Sequence, residues 1–273
     1  MLRLILVLVF LTPTVVAAQD RRSSHCIAVA EAIPGATLWR AGWREPVERN
    51  TVRISYIDHA MFLIQAEDGI SAATDYTGFL GLVDFAPDAV TMNNGHETHW
   101  TSLPDPEIPH ALRGWPEGGT PADHHLDLGS MLIRNVPTDR RSPFGDDQPL
   151  EGGNSIFVFE VAGLCIGHLG HLHHALTDQH YAALGRLDVV MAPVDGGFTL
   201  SRDELKETLS RLRSSIVIPM HWFSPFNLER FLDEMSETYA IQRLGQSAID
   251  LSLFDLPDRP TIMVLKPNFL RKD

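Results

Sequence analysis

The order of hydrophobic and polar positions predicts β-strands in the first half of the chain and alternating strands and helices in the second. Residues 51–76 (TVRISYIDHAMFLIQAEDGISAATDY) alternate apolar and polar side chains around an Asp-Gly turn at Asp68–Gly69. This pattern is typical of consecutive strands joined by tight turns. Further strands are predicted at 88–92, 130–137 and 154–171, the last divided by a turn at Ala162–Gly163.

The second half changes its period. Residues 187–194 (LDVVMAPV) and 215–222 (SIVIPMHW) are apolar runs, which favours strands buried on both faces. Between them, residues 201–214 carry leucines at helical spacing behind a Ser201/Glu204 capping box. Further elements are predicted as helices at 26–33 and 227–235 and a strand at 258–268. Two layers of sheet with helices outside satisfy this order.

Residues 103–123 are rich in proline and glycine and show no periodicity, so they are predicted as a long loop.

The first 20 residues, MLRLILVLVFLTPTVVAAQD, resemble a secretory signal peptide cleaved after Ala18. Arg3 provides the positive charge, and small residues precede the cleavage point. The alternative, a membrane anchor, has a short apolar run interrupted by Pro13. We therefore predict a signal peptide at 1–18, an N-terminal extension at 19–50 and one domain at 51–273. The mature protein is then secreted or periplasmic, without a stable membrane anchor.

The net charge excludes some classes of partner, whereas the cysteine content leaves open whether Cys26 and Cys165 form a disulfide. The formal net charge of −13 argues against nucleic acid and anionic lipid as partners. Two cysteines, Cys26 and Cys165, occur in a chain predicted to be exported, where a disulfide is permitted. Cys165 lies in an apolar run, where a buried free thiol is equally ordinary.

Polar side chains with metal-binding capacity follow several predicted strands. Four of the 13 histidines fall in residues 167–174 (GHLGHLHH). A single histidine at a strand end is more often hydrogen-bonded than ligating. Several at separate strand ends favour a zinc-type site, which needs three or four nitrogen or oxygen ligands from distant segments. The residues concerned are Asn94, His96, Thr98 and His99 after 88–92, His171 after 164–169, Asp195 after 187–194 and His221 after 215–220.

Residues 50–225 resemble the metallo-β-lactamase fold superfamily, and most closely its branch of ascorbate-phosphate lactonase-like metal-dependent hydrolases. The resemblance rests on ISYIDHAMFLIQAEDG with His59, TDY with Asp75, NNGHETH, GLCIGHLGH, APVDGGFTL and VIPMHWF. It implies a four-layer αββα sandwich of mixed α/β class, with a metal site at one edge of the sheets. It also implies hydrolysis of a small-molecule substrate.

The metal motif departs from the family pattern. Asn94 replaces the first histidine of the H-x-H-x-D-H motif, and Thr98 replaces its aspartate. The next family histidine is missing, and Asp139 is the nearest substitute. His171 stands where the family has a bridging aspartate. Because fewer carboxylates remain to hold two cations together, we predict one ion.

The predicted ligands are His99, His171 and His221, three imidazoles that suit Zn²⁺ and leave a fourth position for water. His96 is expected to ligate or to hold the water, while Asn94 and Asp139 complete the candidate set. Asp75 is predicted to orient a ligating histidine, and Asp195 to do the same or to act as general base.

The leading interpretation is an exported hydrolase in which metal-activated water attacks a small ester, lactone or amide-like bond. A metal-binding pseudoenzyme or ligand-binding protein on the same fold is the main alternative, because Asn94 and Thr98 break the motif. Redox chemistry at a mononuclear iron or copper is a third.

Overall fold

A computed structural model describes residues 21–28, 42–142 and 149–272. The described strands, in chain order, are β1 (Thr51–Asp58), β2 (Met61–Ala66), β3 (Ser71–Ala73), β4 (Gly81–Leu82), β5 (Ala89–Met92), β6 (His110–Arg113), β7 (His125–Asp127), β8 (Met131–Arg140), β9 (Leu150–Val161), β10 (Leu164–His168), β11 (Val189–Pro193), β12 (Ile216–Met220), β13 (Ala240–Arg243), β14 (Ala248–Ser252), β15 (Thr261–Val264) and β16 (Leu270–Arg271). The helices are α1 (His25–Ala28), α2 (Asp178–Leu184), α3 (Arg202–Leu212) and α4 (Pro225–Met235), with a 3-10 turn at Leu253–Asp255.

Two β-sheets pack face to face and enclose the main hydrophobic core. The six-stranded sheet has the order β14-β1-β2-β3-β5-β6, and the eight-stranded sheet has the order β13-β15-β12-β11-β10-β9-β8-β7. Alternate side chains of each strand point into the interface. Phe62 and Ile64 from the smaller sheet meet Phe159, Met191 and Ile218 from the larger one in this core.

The opposite face of the eight-stranded sheet is covered by helices. Leu205 and Leu209 of α3 and Phe231 of α4 pack on outward-facing residues such as Val190 and Val217. Strands β10, β11 and β12 are parallel neighbours and are buried on both sides, which explains their continuous apolar sequences.

The outer face of the six-stranded sheet is covered, within the described residues, by loops and the short β4–β16 pair. The predicted mixed α/β sandwich is therefore confirmed. No helix in the described part of the chain is both long and apolar enough to cross a bilayer.

Most predicted elements are confirmed. Helix α3 begins after Ser201, whose side chain accepts a hydrogen bond from the Glu204 backbone N–H. The Glu204 side chain in turn accepts from the Ser201 backbone N–H. Strands β9 and β10 form a hairpin at Ala162 and Gly163, both with positive φ. Of the helix predicted at 26–33, the described residues contain only α1, and the rest lies outside them, as does the predicted signal peptide.

The prediction of a structureless loop at 103–123 is wrong. Strand β6 lies inside this stretch and pairs in parallel with β5. As an edge strand with partly exposed side chains it needs no apolar run, so its sequence carries little strand signal. Helix α2 and strands β4, β7, β13, β14 and β16 were also not predicted, because each has seven residues or fewer and α2 buries only Leu184.

Residues 21–28 are attached to the large sheet by a disulfide and by a buried carboxylate. Cys26 is bonded to Cys165, with Cα atoms 5.8 Å apart. Of the two alternatives that the sequence left open, a disulfide and a buried free thiol, the structure shows the disulfide. Glu160, fully buried on β9, accepts from the His25 backbone N–H at 3.0 Å, from Ser24 Oγ and from Arg134 Nε at 2.9 Å. Burial alone would raise the pKa of Glu160, but the His25 side chain, whose Nδ1 lies 3.0 Å from Oε2, together with Ser24 and Arg134 outweighs burial and lowers the pKa to about 2.

Breaking the disulfide should destabilise the fold. Cross-linking residues 139 positions apart removes unfolded-chain entropy equivalent to at most about 5 kcal/mol. We expect the Cys26→Ser/Cys165→Ala variant to melt at a lower temperature than the wild type. Treatment with reductant should lower the melting temperature of the wild type and leave that of the variant unchanged. Equal reductant sensitivity of both proteins would contradict the bridge.

The Glu160 network should make stability depend on acid pH. Because its folded pKa is depressed, Glu160 contributes stability that is complete above the unfolded value of about 4.3 and is lost as the pH falls towards 2. Glu160→Gln should lose about 3 kcal/mol of unfolding free energy at pH 7. The difference in unfolding free energy between wild type and variant, measured by denaturant unfolding, should become smaller between pH 5 and pH 2. A difference in unfolding free energy that does not change with pH would show that the ionised Glu160 is not its cause.

Candidate metal centre

Most of the predicted site residues lie at one edge of the sandwich, where the carboxyl ends of strands from both sheets meet. Asp75 follows β3, the 93–99 segment follows β5, His171 follows β10, Asp195 follows β11 and His221 follows β12. Ligand sites gather at this end of open α/β sheets because the loops that leave it are free to vary.

His99 and His221 form the centre of the cluster. Both are buried, and their Nε2 atoms lie 3.2 Å apart. The other ring nitrogen of each faces a carboxylate: His99 Nδ1 lies 2.5 Å from Asp75 Oδ2, and His221 Nδ1 lies 3.0 Å from Asp195 Oδ2. With a proton on each Nδ1, the two Nε2 lone pairs point towards each other.

Asp195 is saturated with donors. Its Oδ1 accepts from the backbone N–H groups of Gly197, Phe198 and Thr199, and its Oδ2 accepts from the Thr199 hydroxyl and from His221. Burial would raise the pKa of Asp195, but the bonds from His221, Thr199 and Gly197 together hold it well below its usual range. These contacts leave little capacity for a general base and suit the orienting role that was the other prediction for this residue.

Asp75 is fixed by the backbone on the side away from His99. Its Oδ1 accepts from the Asn93 backbone N–H at 3.1 Å. Complete burial raises the pKa of Asp75 to about 7, against the opposing influence of His168, Asn93 and His221. A cation between His99 and His221 would favour the ionised carboxylate.

The donor set fits a divalent metal ion. Two nitrogen ligands at ~2.0–2.1 Å from a tetrahedral Zn²⁺ are about 3.3 Å apart, close to the observed 3.2 Å. Two unprotonated Nε2 atoms at this separation repel one another unless a proton or a cation lies between them. Histidines that ligate a metal commonly donate their other N–H to a carboxylate, as both do here.

His171 lies beside this pair, as the sequence predicted. Its ring centroid is 4.6 Å from that of His99 and 4.9 Å from that of His221, and both contacts are edge to face. Its Nδ1 lies 2.8 Å from Nε2 of His173, which is also buried. Burial, reinforced by the neighbouring histidines, lowers the pKa of His171 well below its usual range. Burial and Arg141 lower that of His173 to about 3.

His96 stands at the solvent side of the cluster. It is exposed, its ring stacks on that of His171 at 5.5 Å, and its Nδ1 lies 3.1 Å from Thr98 Oγ1. It therefore contacts solvent beside the cluster.

Asn94 and Asp139 occupy different surroundings. Asn94 is buried, pairs through its backbone with Asn154, and has neither amide atom hydrogen-bonded within the described residues. Asp139 Oδ1 accepts from the Gly152 backbone N–H at 3.0 Å, in the β8–β9 hairpin. The ligand roles of both residues stay predictions.

His59 is a member of the cluster that the predicted ligand set lacks. It lies in the turn between β1 and β2, and its ring centroid is 4.0 Å from that of His221 and 5.4 Å from that of His99. Burial, with the nearby His221 and His99, lowers its pKa to about 3. The sequence contained a signal for it, since His59 sits at a position that is usual in the resembled family.

The backbone is strained where the site is built. Seven non-glycine residues of the described chain have positive φ, and four belong to this region: His59, Asp75, His221 and Phe223. Such conformations cost of order 1–3 kcal/mol each and cluster at functional sites, where the surrounding structure enforces them.

A pocket of about 510 Å³ opens beside the cluster. His59 and Thr98 line it on the side of the cluster, Phe223 and Trp222 supply aromatic surface, and Glu97 is one of its two carboxylates. The described residues that line it include no lysine or arginine.

Comparisons with known proteins agree with this architecture. A family model described as "Beta-lactamase superfamily domain" matches residues 53–221. A candidate Zn-dependent hydrolase of the metallo-beta-lactamase superfamily from Thermotoga maritima is 26% identical, with a TM-score of 0.56 over 78% of this chain and 98% of that one.

Two other solved structures share the fold alone. One is a candidate metal-dependent hydrolase from Parabacteroides distasonis, 15% identical with a TM-score of 0.51, aligned over 68% of this chain and 89% of that one. The other is described as a metal-dependent hydrolase candidate from Veillonella parvula, 10% identical with a TM-score of 0.51 over 68% and 94%.

Asp75→Asn should weaken metal binding by about 10- to 100-fold. In the variant, the amide oxygen keeps the Asn93 N–H and the NH₂ group donates to His99 Nδ1, which moves the imidazole proton to Nε2 and blocks its lone pair. Chelator competition with Zn²⁺ measures the change. Asp88→Asn, at another aspartate that accepts a backbone N–H, is the matched control and should bind Zn²⁺ as the wild type does. Equal affinity of Asp75→Asn and wild type would refute the orienting role.

Proposed function

The chain belongs to the beta-lactamase superfamily, and from this premise we propose that it is an exported, zinc-dependent hydrolase of a small ester, lactone or amide-like bond. The observation that carries the proposal is the pair of Nε2 atoms of His99 and His221 at 3.2 Å, each ring held from behind by a buried aspartate. A purely structural histidine pair has no need of two such carboxylates.

A bound Zn²⁺ supplies a Lewis acid that lowers the pKa of water to ~7 and polarises a carbonyl oxygen. The protein contributes orientation. Asp75 and Asp195 fix the tautomers of His99 and His221, so that both Nε2 lone pairs stay directed at one point. No ligand aspartate equivalent to the family's bridging residue is present at position 171, and one ion is therefore proposed.

His171, His173 and His96 are suited to proton movement. Ester hydrolysis places the hydroxyl of water on the acyl carbon, breaks the carbon–oxygen bond and returns a proton to the leaving oxygen. Burial keeps the imidazole of His171 uncharged near pH 7, so it would pass a proton on and not hold it. The nearby ring nitrogen of His173 is a partner for such a transfer, and the exposed His96 lies on the other side of His171.

The pocket beside His59 supports a small-molecule substrate. A volume of about 510 Å³ is in the range of small-molecule sites. Two aromatic residues, Trp222 and Phe223, offer apolar contact to the acyl or leaving group. With carboxylates and no lysine or arginine among its described lining residues, the pocket suits a neutral or cationic compound better than a polyanion.

Export is supported by two features. The first 18 residues have the composition of a signal peptide. The Cys26–Cys165 disulfide is of the kind that persists in the periplasm or outside the cell.

Metal analysis of the purified mature protein, combined with activity assays, tests the proposal. We expect one Zn²⁺ per chain, and turnover of at least one class among generic esters, lactones, β-lactams and phosphodiesters that is abolished by chelator and restored by Zn²⁺. His221→Ala should lose most of the metal and the activity, because it removes one of the two central nitrogens.

His110→Ala is the matched control, since His110 begins β6, at the end of the six-stranded sheet opposite to the site. Full metal content in His221→Ala would contradict the proposed centre. One ion per chain with no turnover of any substrate class would favour the alternative of a metal-binding protein without catalysis, for which the replaced motif residues Asn94 and Thr98 argue.

A further inference from the structure

The distances within the histidine cluster do not favour the ligand triad that the sequence suggests. Among the described residues, one set of potential ligands at this edge has ring nitrogens that all lie within 4.8 Å of one another. It consists of His59, His99 and His221, and His171 is not part of it. Resting on the metal centre proposed above, we propose that His59 is the third ligand, in place of His171, which the sequence predicts.

The β1–β2 turn fixes the position of His59 relative to His221. The His59 carbonyl accepts from the His221 backbone N–H at 2.9 Å and from the Tyr56 hydroxyl at 2.7 Å. These two bonds hold a residue whose φ is +47°. The backbones of two ligands are thus joined directly, although they are far apart in the sequence and belong to different sheets.

The ring of His59 is also confined on both sides. It packs against His221 with ring centroids 4.0 Å apart and against Phe223 with centroids 5.1 Å apart. Its Nε2 is buried and has no hydrogen-bond partner among the described residues. An orphaned buried imidazole nitrogen is costly unless something binds it, and a cation shared with His99 and His221 would do so.

His171 has surroundings of a different kind. It meets His99 and His221 through edge-to-face contacts, its Nδ1 is engaged by a third imidazole, that of His173, and its ring stacks on the exposed His96. No carboxylate of the described residues is hydrogen-bonded to it, in contrast to His99 and His221. With His59, His99 and His221 as ligands, the ion would keep the position for water that catalytic zinc sites leave open, and His171 would lie beside it without ligating it.

The ligand assignment explains how a single ion is retained after the motif changes. Asn94 and Thr98 remove a nitrogen and a carboxylate ligand from the 94–99 segment. His59 supplies a replacement nitrogen from a separate turn, on the side of the cluster that borders the pocket.

Two variants separate the competing triads by Zn²⁺ affinity, measured with a chromophoric chelator, and by the visible spectrum of the Co²⁺-substituted protein. His59→Asn removes the imidazole but keeps a residue that tolerates positive φ. Removing a group that only orients a ligand costs about 10- to 100-fold in metal affinity. Removing a ligand itself should therefore cost at least about 10-fold in Zn²⁺ affinity, and it should alter the Co²⁺ spectrum. His171→Gln should change affinity less than about 3-fold and leave the Co²⁺ spectrum close to that of the wild type, while lowering turnover.

His174→Ala, which removes a neighbouring imidazole outside the cluster, is the control and should bind both metals normally. Melting of the metal-free proteins checks that each variant folds. Wild-type affinity and spectrum in His59→Asn would overturn the inference, as would a loss in His171→Gln equal to that in His59→Asn. Absence of metal binding in the wild type would instead refute the proposed function itself.

Discussion

The arrangement of the site depends on two histidine–carboxylate pairs that meet head to head. Asp75 behind His99 and Asp195 behind His221 are buried, and together they direct two imidazole lone pairs at a point between the rings. Neither pair is useful alone, because one oriented histidine binds a metal weakly. The pairs must be brought together from opposite sheets, so the site requires the complete sandwich.

The fold meets this requirement through the ends of its strands. β3 and β5 of one sheet, and β11 and β12 of the other, finish at the same edge, and the residues directly after them turn inward. The turn from β1 to β2 links the two sheets through the bond from the His221 N–H to the His59 carbonyl. The positive φ values of His59, Asp75 and His221 are the local cost of directing these side chains inward.

Compared with the family motif, the site has lost negative charge at ligand positions and has kept it behind the ligands. Thr98 and His171 stand where the resembled family has aspartates, whereas Asp75 and Asp195 are retained and contact His99 and His221 at their Nδ1 atoms. A ligand set of neutral imidazoles carries less charge than one with a bridging carboxylate, which is why one ion is proposed and not two.

The sequence by itself determined the strand and helix order of most of the chain, because buried parallel strands and a capped amphipathic helix leave strong periodic patterns. It also identified the segments that supply the site, since histidines and aspartates follow those strands. It missed helix α2 and strands β4, β6, β7, β13, β14 and β16, whose short sequences have no clear pattern of their own and form only against a neighbour. Tertiary structure alone decided that Cys26 reaches Cys165, that Asp139 bonds within its own hairpin, and that His59 lies closer to His221 than linear order suggests. These are distances between residues remote in the chain, and local side-chain patterns carry no information about them until the two sheets are packed.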